Sequence, residues 1–136
     1  MEITHRTNNL RIAPRKLRLV ADQVRHNEAL KALGILPLVV NRGGGLIATS
    51  LKSAIQVAED NNLDPKTLVI QRIWVDEGRK MKRSVHKSHG QARMIMKFSS
   101  HLSIALKGEP RQAARRRVAT PKKGEMNAET EVTQEQ

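Results

Sequence analysis

The chain has 136 residues, a formal net charge of +12, a sequence pI of about 10.9, no cysteine, one tryptophan and one phenylalanine. The length fits one domain, the charge suits nucleic acid or an anionic membrane surface, and the lack of cysteine excludes disulfides and thiolate metal sites. The start of the chain lacks the apolar stretch of a signal peptide. No apolar run reaches the roughly 18 residues of a membrane span. We therefore expect an intracellular protein without a membrane partner.

The first predicted elements are a strand over Glu2 to Arg11 and a helix over Ala13 to Arg25. Pro14 suits the first helical position, where its missing N–H removes no hydrogen bond. Apolar residues recur at helical spacing and mark one buried face, namely Leu17, Val20, Ala21 and Val24. On another face Arg18 and Asp22 stand four residues apart, a spacing that predicts an ion pair worth a few tenths of a kcal/mol.

Two further helices are predicted before the first long apolar strand. A short helix covers Asn27 to Leu33 and is ended by Gly34 and Pro37. A longer helix ends near Asp60, and its buried face is marked by Ile47, Leu51, Ala54, Ile55 and Ala58. The triplet Gly43-Gly44-Gly45 either precedes this helix or forms a weak first turn, since each Gly costs about 1 kcal/mol relative to Ala. Because no phosphate-binding motif surrounds the triplet, we interpret it as a flexible helix junction.

The second half of the chain predicts strands that flank a basic segment. Leu68 to Val75 is rich in β-branched residues, and Met94 to Leu106 alternates with the period of a half-buried strand. Between them, residues 79–97 hold seven Lys or Arg, two His and no acid. Unpaired charges are too costly to bury, so we predict a hairpin finger whose arms project roughly 30 Å. Isolated ribbons are marginal in water, so the finger should be mobile when free and held by a polyanion.

The predicted architecture is α+β, with three helices packed on a small antiparallel sheet and a long protruding β-hairpin. We place one globular domain at residues 1–110, with the hairpin over about 77–99. Residues 111–123 add six basic and no acidic side chains, and residues 124–136 hold four Glu and no Lys or Arg. This composition predicts a disordered tail, basic and then acidic. The scarcity of aromatic residues disfavours single-strand binding by stacking and favours recognition of phosphates and shape.

Other functional classes find less support. The five histidines lack converging partner ligands, and the adjacent Asp76 and Glu77 would point to opposite faces of a strand. No nucleophile motif is present. We therefore predict no metal, no cofactor and no enzymatic activity. One alternative stays open: the region Ala13 to Leu33 could imitate the helix-turn-helix of a DNA-binding regulator.

Several sequence blocks together resemble the large-subunit ribosomal protein L-twenty-two family in its bacterial or organellar form. They follow the family order over about residues 3–107: Ile12 to Asp22, Leu51 to Asn61, and the hairpin landmarks Val75 to Gly78, Met81 to Arg83, Gly90 with Ala92, and Ser100-His101. The resemblance implies a structural constituent of the large ribosomal subunit that binds 23S-type rRNA in several domains and supports assembly. Its hairpin tip would help to line the peptide exit tunnel.

The resemblance also implies partners and a location. The partners would be rRNA, neighbouring large-subunit proteins and the nascent peptide, and the chain would not form a homo-oligomer. It would lie in the ribosome of the cytoplasm, or of an organelle.

Candidate site residues are carried over from the family blocks and from the charge pattern. Arg15 and Lys16 stand beside a helix N-terminus, where free N–H groups attract phosphate. The candidate rRNA-binding residues are Arg11, Arg15, Lys16, Arg18, Arg25, Arg79, Lys80, Lys82, Arg83, Lys87, His89, Gln91, Arg93, Lys97 and His101. The candidate tunnel-lining residues are Met81, Lys82, Arg83, Ser84, Val85, His86, Lys87, Ser88, His89 and Gly90.

The finger departs from the usual family pattern at several positions. Arg79 replaces a Pro, His86-Lys87 replace a Pro-Arg pair, Gln91 replaces an Arg, and Phe98-Ser99 stand where a Lys or Arg is usual. The finger is therefore less charged and richer in histidine than is typical.

Overall fold

The structure is a computed structural model that describes residues 1–111. This part of the chain contains three α-helices and five strands. In chain order they are β1 (Glu2–Leu10), α1 (Pro14–Val24), α2 (Ala29–Ile35), α3 (Gly43–Asp60), β2 (Val69–Glu77), β3 (Met81–His86), β4 (Ala92–Lys97) and β5 (Ser100–Lys107). Single 3₁₀ turns lie at Leu36–Leu38, Pro65–Thr67 and Ser88–Gly90. The predicted α+β class with three helices is confirmed, whereas nearly all of the predicted tail lies outside the described residues.

The strands form two separate antiparallel sheets. One has the order β1-β5-β2, and the other is the two-stranded ribbon β3-β4. The helices pack on one face of the three-stranded sheet through a single apolar cluster that includes Leu17, Ile47, Leu51, Ile70 and Ile104. This arrangement keeps the ribbon away from the core.

The prediction of one half-buried strand over the alternating segment from Met94 to Leu106 is wrong. The segment contains two strands separated at Phe98 and Ser99. Every residue of β4 is exposed, whereas β5 is buried at nearly every position. β5 is the central strand of the sheet, and the helices cover one of its faces. On the other face its small residues Ser103 and Ala105 lie between larger side chains of β1 and β2, which bury them.

Helix α1 matches its predicted face, because its buried residues are Pro14, Leu17, Val20, Ala21 and Val24. The predicted short second helix is displaced along the chain. It begins at Ala29 because the Asn27 carbonyl instead accepts a hydrogen bond from the Ile70 N–H of β2 (3.0 Å). It also continues through Gly34 to Ile35, so Gly34 does not end it.

The glycine triplet is the first turn of α3, which confirms one of the two predicted alternatives, whereas its interpretation as a flexible junction is wrong. Gly43 and Gly44 are buried, and Gly45 is exposed. A Cβ added to Gly44 would lie 2.7 Å from the Leu36 carbonyl oxygen, and one added to Gly43 would lie 3.2 Å from Val20 Cγ2. The glycines therefore allow the start of α3 to pack closely against α1 and the Leu36 turn.

This packing predicts opposite effects for two neighbouring substitutions. Gly45→Ala should raise the free energy of unfolding by about 0.5–1 kcal/mol, because the position is helical and has open space. Gly44→Ala should lower it by about 1–3 kcal/mol, because the backbone of Leu36 must move. Urea denaturation measures both values, and equal effects of the two variants would contradict the close packing.

Candidate nucleic-acid interface

The finger is the hairpin of β3 and β4 with its tip at residues 87–91. All residues from 79 to 98 are exposed, so the globular domain provides no core for this segment. The predicted protruding hairpin is confirmed, although its paired strands have six residues each and so a length of about 20 Å. The predicted arms of about 30 Å, based on residues 79–97, were too long, because Arg79 and Lys80 precede β3 and residues 87–91 form the tip.

The six cross-strand pairs of the finger share a pattern. Each pair joins one polar or charged residue to one apolar residue, namely Met81 with Lys97, Lys82 with Met96, Arg83 with Ile95, Ser84 with Met94, Val85 with Arg93, and His86 with Ala92. Like charges directly opposite each other destabilise a strand pair. The pattern avoids such contacts while the finger carries a dense positive charge.

The two sides of the ribbon differ in chemistry because side chains alternate along a strand. The odd side carries three cations, Arg83, Arg93 and Lys97, among apolar residues. The even side carries Lys82, Ser84 and His86 on β3 and an apolar row of Ala92, Met94 and Met96 on β4. The odd side is therefore the more strongly charged face for a polyanion.

A short neck joins the finger to the main sheet. The Gly78 N–H donates to the Ser99 carbonyl (2.9 Å), and the Ser99 hydroxyl donates to the Arg79 carbonyl (2.7 Å). A Cβ on Gly78 would lie 2.6 Å from Ser99 Oγ and 3.1 Å from the Ser99 carbonyl carbon and oxygen. Glycine allows this close approach without a shift of Ser99, and the approach helps to set the direction in which the finger leaves the domain.

A basic groove lies where the finger meets α1 and the start of α3. Its volume is about 670 Å³, and its lining contains five cations and no acid. The cations are Arg11, Lys16, Arg42, Arg83 and Lys97, and the apolar lining includes Ile12, Met81 and Phe98. The groove therefore combines predicted residues from the N-terminal block with predicted residues from the odd side of the finger.

Arg42 belongs to this groove and was not predicted from the sequence. It is the N-cap residue of α3 and is exposed. A cation at a helix N-terminus is electrostatically unfavourable unless an anion lies nearby. An Arg directly before a helix start is the signal that could have identified it, but the uncertain start of α3 hid this signal.

A second recess continues the groove on the other side of Arg11. It is lined by Asn9, Arg11, Arg79, Met81, Ser99 and His101. His101 Nδ1 accepts a hydrogen bond from the Asn9 N–H (3.2 Å), where β1 has an irregular register and Asn9 has a φ of 58°. His101 therefore has a structural contact beside the predicted RNA-facing cations.

Arg18 of α1 and Arg25, the residue directly after this helix, have internal partners. Arg18 donates to the Val75 carbonyl through Nε (3.3 Å) and Nη2 (3.0 Å), and Arg25 makes a long contact to the Ile73 carbonyl (3.4 Å). The predicted Arg18–Asp22 pair is wrong, because Asp22 pairs with Arg25 instead (2.8 Å). β2 is an edge strand, so no neighbouring strand lies on its outer side. The two arginines supply hydrogen-bond donors to the β2 carbonyls that face this side.

Replacing Arg18 should therefore affect stability as well as binding. Arg18→Met keeps much of the aliphatic stem but removes the donors to Val75, so we expect the free energy of unfolding to fall by about 1–2 kcal/mol. Arg15→Met is the control, because Arg15 makes no side-chain hydrogen bond among residues 1–111. Thermal or urea unfolding measures the difference, and an equal decrease in both variants would contradict this internal role.

Lys80 and Glu77 form an ion pair at the base of the finger. Lys80 Nζ lies 3.0 Å from Glu77 Oε2 and 5.6 Å from the centre of the Phe98 ring. The hydrogen bond and the charge of Lys80 lower the pKa of Glu77, with smaller contributions from Arg18 and Arg15. Glu77 therefore stays ionised, and partly offsets the positive charge of the finger base.

The tip of the finger is a tight turn distant from the groove. The Lys87 N–H donates to the Gln91 carbonyl (2.7 Å), and His89 and Gly90 have positive φ values of 58° and 72°. The predicted tunnel-lining residues, Met81 to Gly90, thus comprise β3 and most of the tip. The structure does not bring Lys87, His89 and Gln91 together with the α1 residues.

Within residues 1–111 no group of three or more His, Cys, Asp or Glu is placed to hold a metal ion. Among the same residues, no helix combines the length and the apolar character needed to cross a membrane.

The small α+β domain has an exposed basic finger and an acid-free basic groove, a charge distribution typical of the class of polyanion-binding proteins. The sequence model of the family described as ribosomal protein L22p/L17e matches residues 5–107. The chain belongs to this family, which confirms the resemblance seen in its sequence blocks, and membership agrees with the predicted location in the ribosome.

Curated relatives support the assignment. Three proteins named large ribosomal subunit protein uL22 are 39% identical over 101 residues (Magnetococcus marinus), 41% identical over 98 residues (Rubrobacter xylanophilus) and 38% identical over 110 residues (Fusobacterium nucleatum). These alignments cover 74%, 71% and 80% of this chain and 89%, 77% and 99% of the respective relatives. Each relative therefore matches the chain over most of both lengths.

Proposed function

We propose that the chain is a structural component of the large ribosomal subunit that binds large-subunit rRNA. The observation that carries the proposal is the acid-free basic groove, which is continuous with the odd side of the exposed finger. Cations in such a surface bind phosphates and release counterions from the RNA. The relatives named large ribosomal subunit protein support large-subunit rRNA as this polyanion.

The two parts of the interface have different roles in this proposal. The groove, with Arg11, Lys16 and Arg42, holds the globular domain on the surface of the RNA. The finger extends between RNA segments from different domains, and its tip helps to line the peptide exit tunnel beside the nascent peptide. A protein that spans several RNA segments in this way supports assembly, because it holds them in one arrangement.

A structural role fits the chemistry of the interface better than catalysis does. The groove is lined by cations and apolar groups, and it presents no carboxylate or histidine to act as a general acid or base. The DNA-regulator alternative is less consistent with the structure, because α2, which would be the recognition helix of such a motif, has Lys31 as its single charged residue, and this lysine pairs with Glu28 (2.8 Å).

Sedimentation of a cell lysate tests the proposal. The chain should remain with large ribosomal subunits at salt concentrations that remove proteins held only by surface charge. Its release into the soluble fraction, or its co-sedimentation with chromosomal DNA, would overturn the proposed function.

Hydrogen exchange tests whether RNA holds the finger. Two-stranded ribbons without a core are marginal in water, so amides of β3 and β4 should exchange far faster than those of α1 and β5 in the free protein. In reconstituted subunits the finger amides should become protected. Equal protection of the finger and the core in the free protein would contradict this prediction.

A further inference from the structure

A crevice away from the finger runs along the outer edge of β2, beside the end of α1. It has a volume of about 440 Å³ and is lined by Arg25, His26, Gln71, Arg72, Ile73 and Trp74. This volume falls within the range of about 300–1,000 Å³ that is usual for small-molecule sites. The crevice belongs neither to the basic groove nor to the finger.

Gln71 leaves an unbonded polar atom at this crevice. Its Oε1 is buried and has no hydrogen-bond partner among the described residues. Buried polar atoms are rarely left without a partner, since the loss of water costs about 1–3 kcal/mol. Gln71 occupies an irregularity in the pairing of β2 with β5, between Ile70 and Arg72, and such bulges often redirect a side chain next to a functional site.

Trp74 supplies an aromatic surface at the same place. It is the only tryptophan of the chain and is 40% exposed. An exposed indole ring on a sheet can stack against an unpaired base, and such a stack is typically worth a several-fold or greater change in affinity. The chain thus has few aromatic residues overall but places one of them beside an unbonded acceptor.

The electrostatics of the crevice favour a base rather than a phosphate inside it. α1 ends at Val24, and the C-terminal end of a helix disfavours anions. Arg25 pairs with Asp22 (2.8 Å) and Arg72 pairs with Glu2 (2.9 Å), so each arginine is partly neutralised. Both arginines line the crevice, and their remaining N–H donors can bind the phosphates on either side of an inserted base.

The backbone holds the crevice in shape. His26 has a positive φ of 63°, which is unusual for a residue other than glycine. The His26 N–H donates to the Ile70 carbonyl (3.1 Å), and the Ile70 N–H donates to the Asn27 carbonyl (3.0 Å). These two bonds fix the end of α1 against β2, so the backbone around the crevice is held in place.

We propose that this crevice binds one unstacked nucleobase of the RNA partner, with the base ring against Trp74 and the Gln71 side chain turned outward so that an exocyclic amine donates to its Oε1. The proposal rests on the proposed RNA-binding function. The proposal adds a contact with the edge of a base to an interface whose cations contact phosphates. Base edges carry the sequence information that phosphates lack.

Because Trp74 is the only tryptophan, its fluorescence reports on binding next to this residue. The full chain is titrated with adenosine 5′-monophosphate and with purine riboside 5′-monophosphate, which has the same ring system and phosphate but lacks the amine. We expect saturable quenching by both, with roughly fivefold weaker binding of the analogue, the loss of one hydrogen bond. Gln71→Leu should weaken binding of adenosine monophosphate to the level of the analogue, whereas the control Gln56→Leu, an exposed position on α3, should leave the difference intact.

Binding of a large-subunit rRNA fragment is measured in parallel by filter retention. Equal affinities of the two nucleotides, or no saturable quenching although the rRNA fragment is retained, would overturn the crevice proposal and leave the proposed function in place. Failure of the rRNA fragment to bind at low salt would overturn the proposed function itself.

Discussion

Replacing Arg83, Arg93 and Lys97 by glutamine should weaken rRNA binding by about a hundredfold to a thousandfold at 0.1 M salt. These residues are the three cations on the odd side of the finger. Removing one cation from a phosphate should lower the slope of log affinity against log salt by about 0.7–0.9. The slope should therefore fall by about two to three in the triple variant. Filter binding of an rRNA fragment over a series of salt concentrations measures both values.

A matched control separates these phosphate contacts from general charge attraction. Lys31, Lys52 and Lys66 are also exposed or partly exposed cations, but they lie on α2, α3 and a 3₁₀ turn away from the groove. Replacing them by glutamine changes the net charge by the same amount. If affinity and slope fell as far in this control variant as in the finger variant, the assignment of the odd side as the phosphate-binding face would be wrong.

Gly78→Ala should disturb the neck more than any other alanine substitution in the finger. The new Cβ would lie 3.1 Å from the Ser99 carbonyl carbon and oxygen, so the Ser99 backbone must shift by a few tenths of an ångström. Overpacking of this kind typically costs about 1–3 kcal/mol, and the hydrogen bond from Gly78 to Ser99 would lengthen. We expect a lower free energy of unfolding in urea, together with weaker rRNA binding, because the finger would leave the domain in a different direction.

Two further variants identify the cause. Adding Ser99→Ala to Gly78→Ala removes the clash with Oγ but not those with the Ser99 backbone, so most of the defect should remain. Gly90→Ala at the tip has open space around its Cβ and a φ of 72°, so it should cost only the conformational penalty of about 1–2 kcal/mol within the finger. A full recovery in the double variant would show that only the flexible hydroxyl resisted the substitution.

Helical faces were predictable because their period is local. The buried positions of α1 and α3 follow from spacing alone, as Leu17, Val20, Ile47 and Leu51 show. The basic finger was predictable for a related reason, since a run of charges without acids excludes burial whatever its surroundings.

Sheet burial and side-chain partners depend on neighbours that the local sequence does not specify. Ser103 and Ala105 stand on the polar side of an alternating pattern, yet they are buried because β5 is the central strand. Arg18 has the spacing to pair with Asp22 but donates to Val75, which is 57 residues away in the chain. Arg42 joins the groove only because the glycine triplet forms a helical turn packed against Leu36.

The pairing pattern of the finger also selects its register. If β3 shifted by two residues against β4, every side chain would stay on its own side of the ribbon. In other sheets the packing of an apolar core would prevent such a shift, but the finger has no core. Here a slip in one direction places Arg83 opposite Arg93, and a slip in the other places it opposite Lys97, and both arrangements are destabilised by repulsion. The charges that attract RNA therefore also determine how far the tip of the ribbon reaches from the neck.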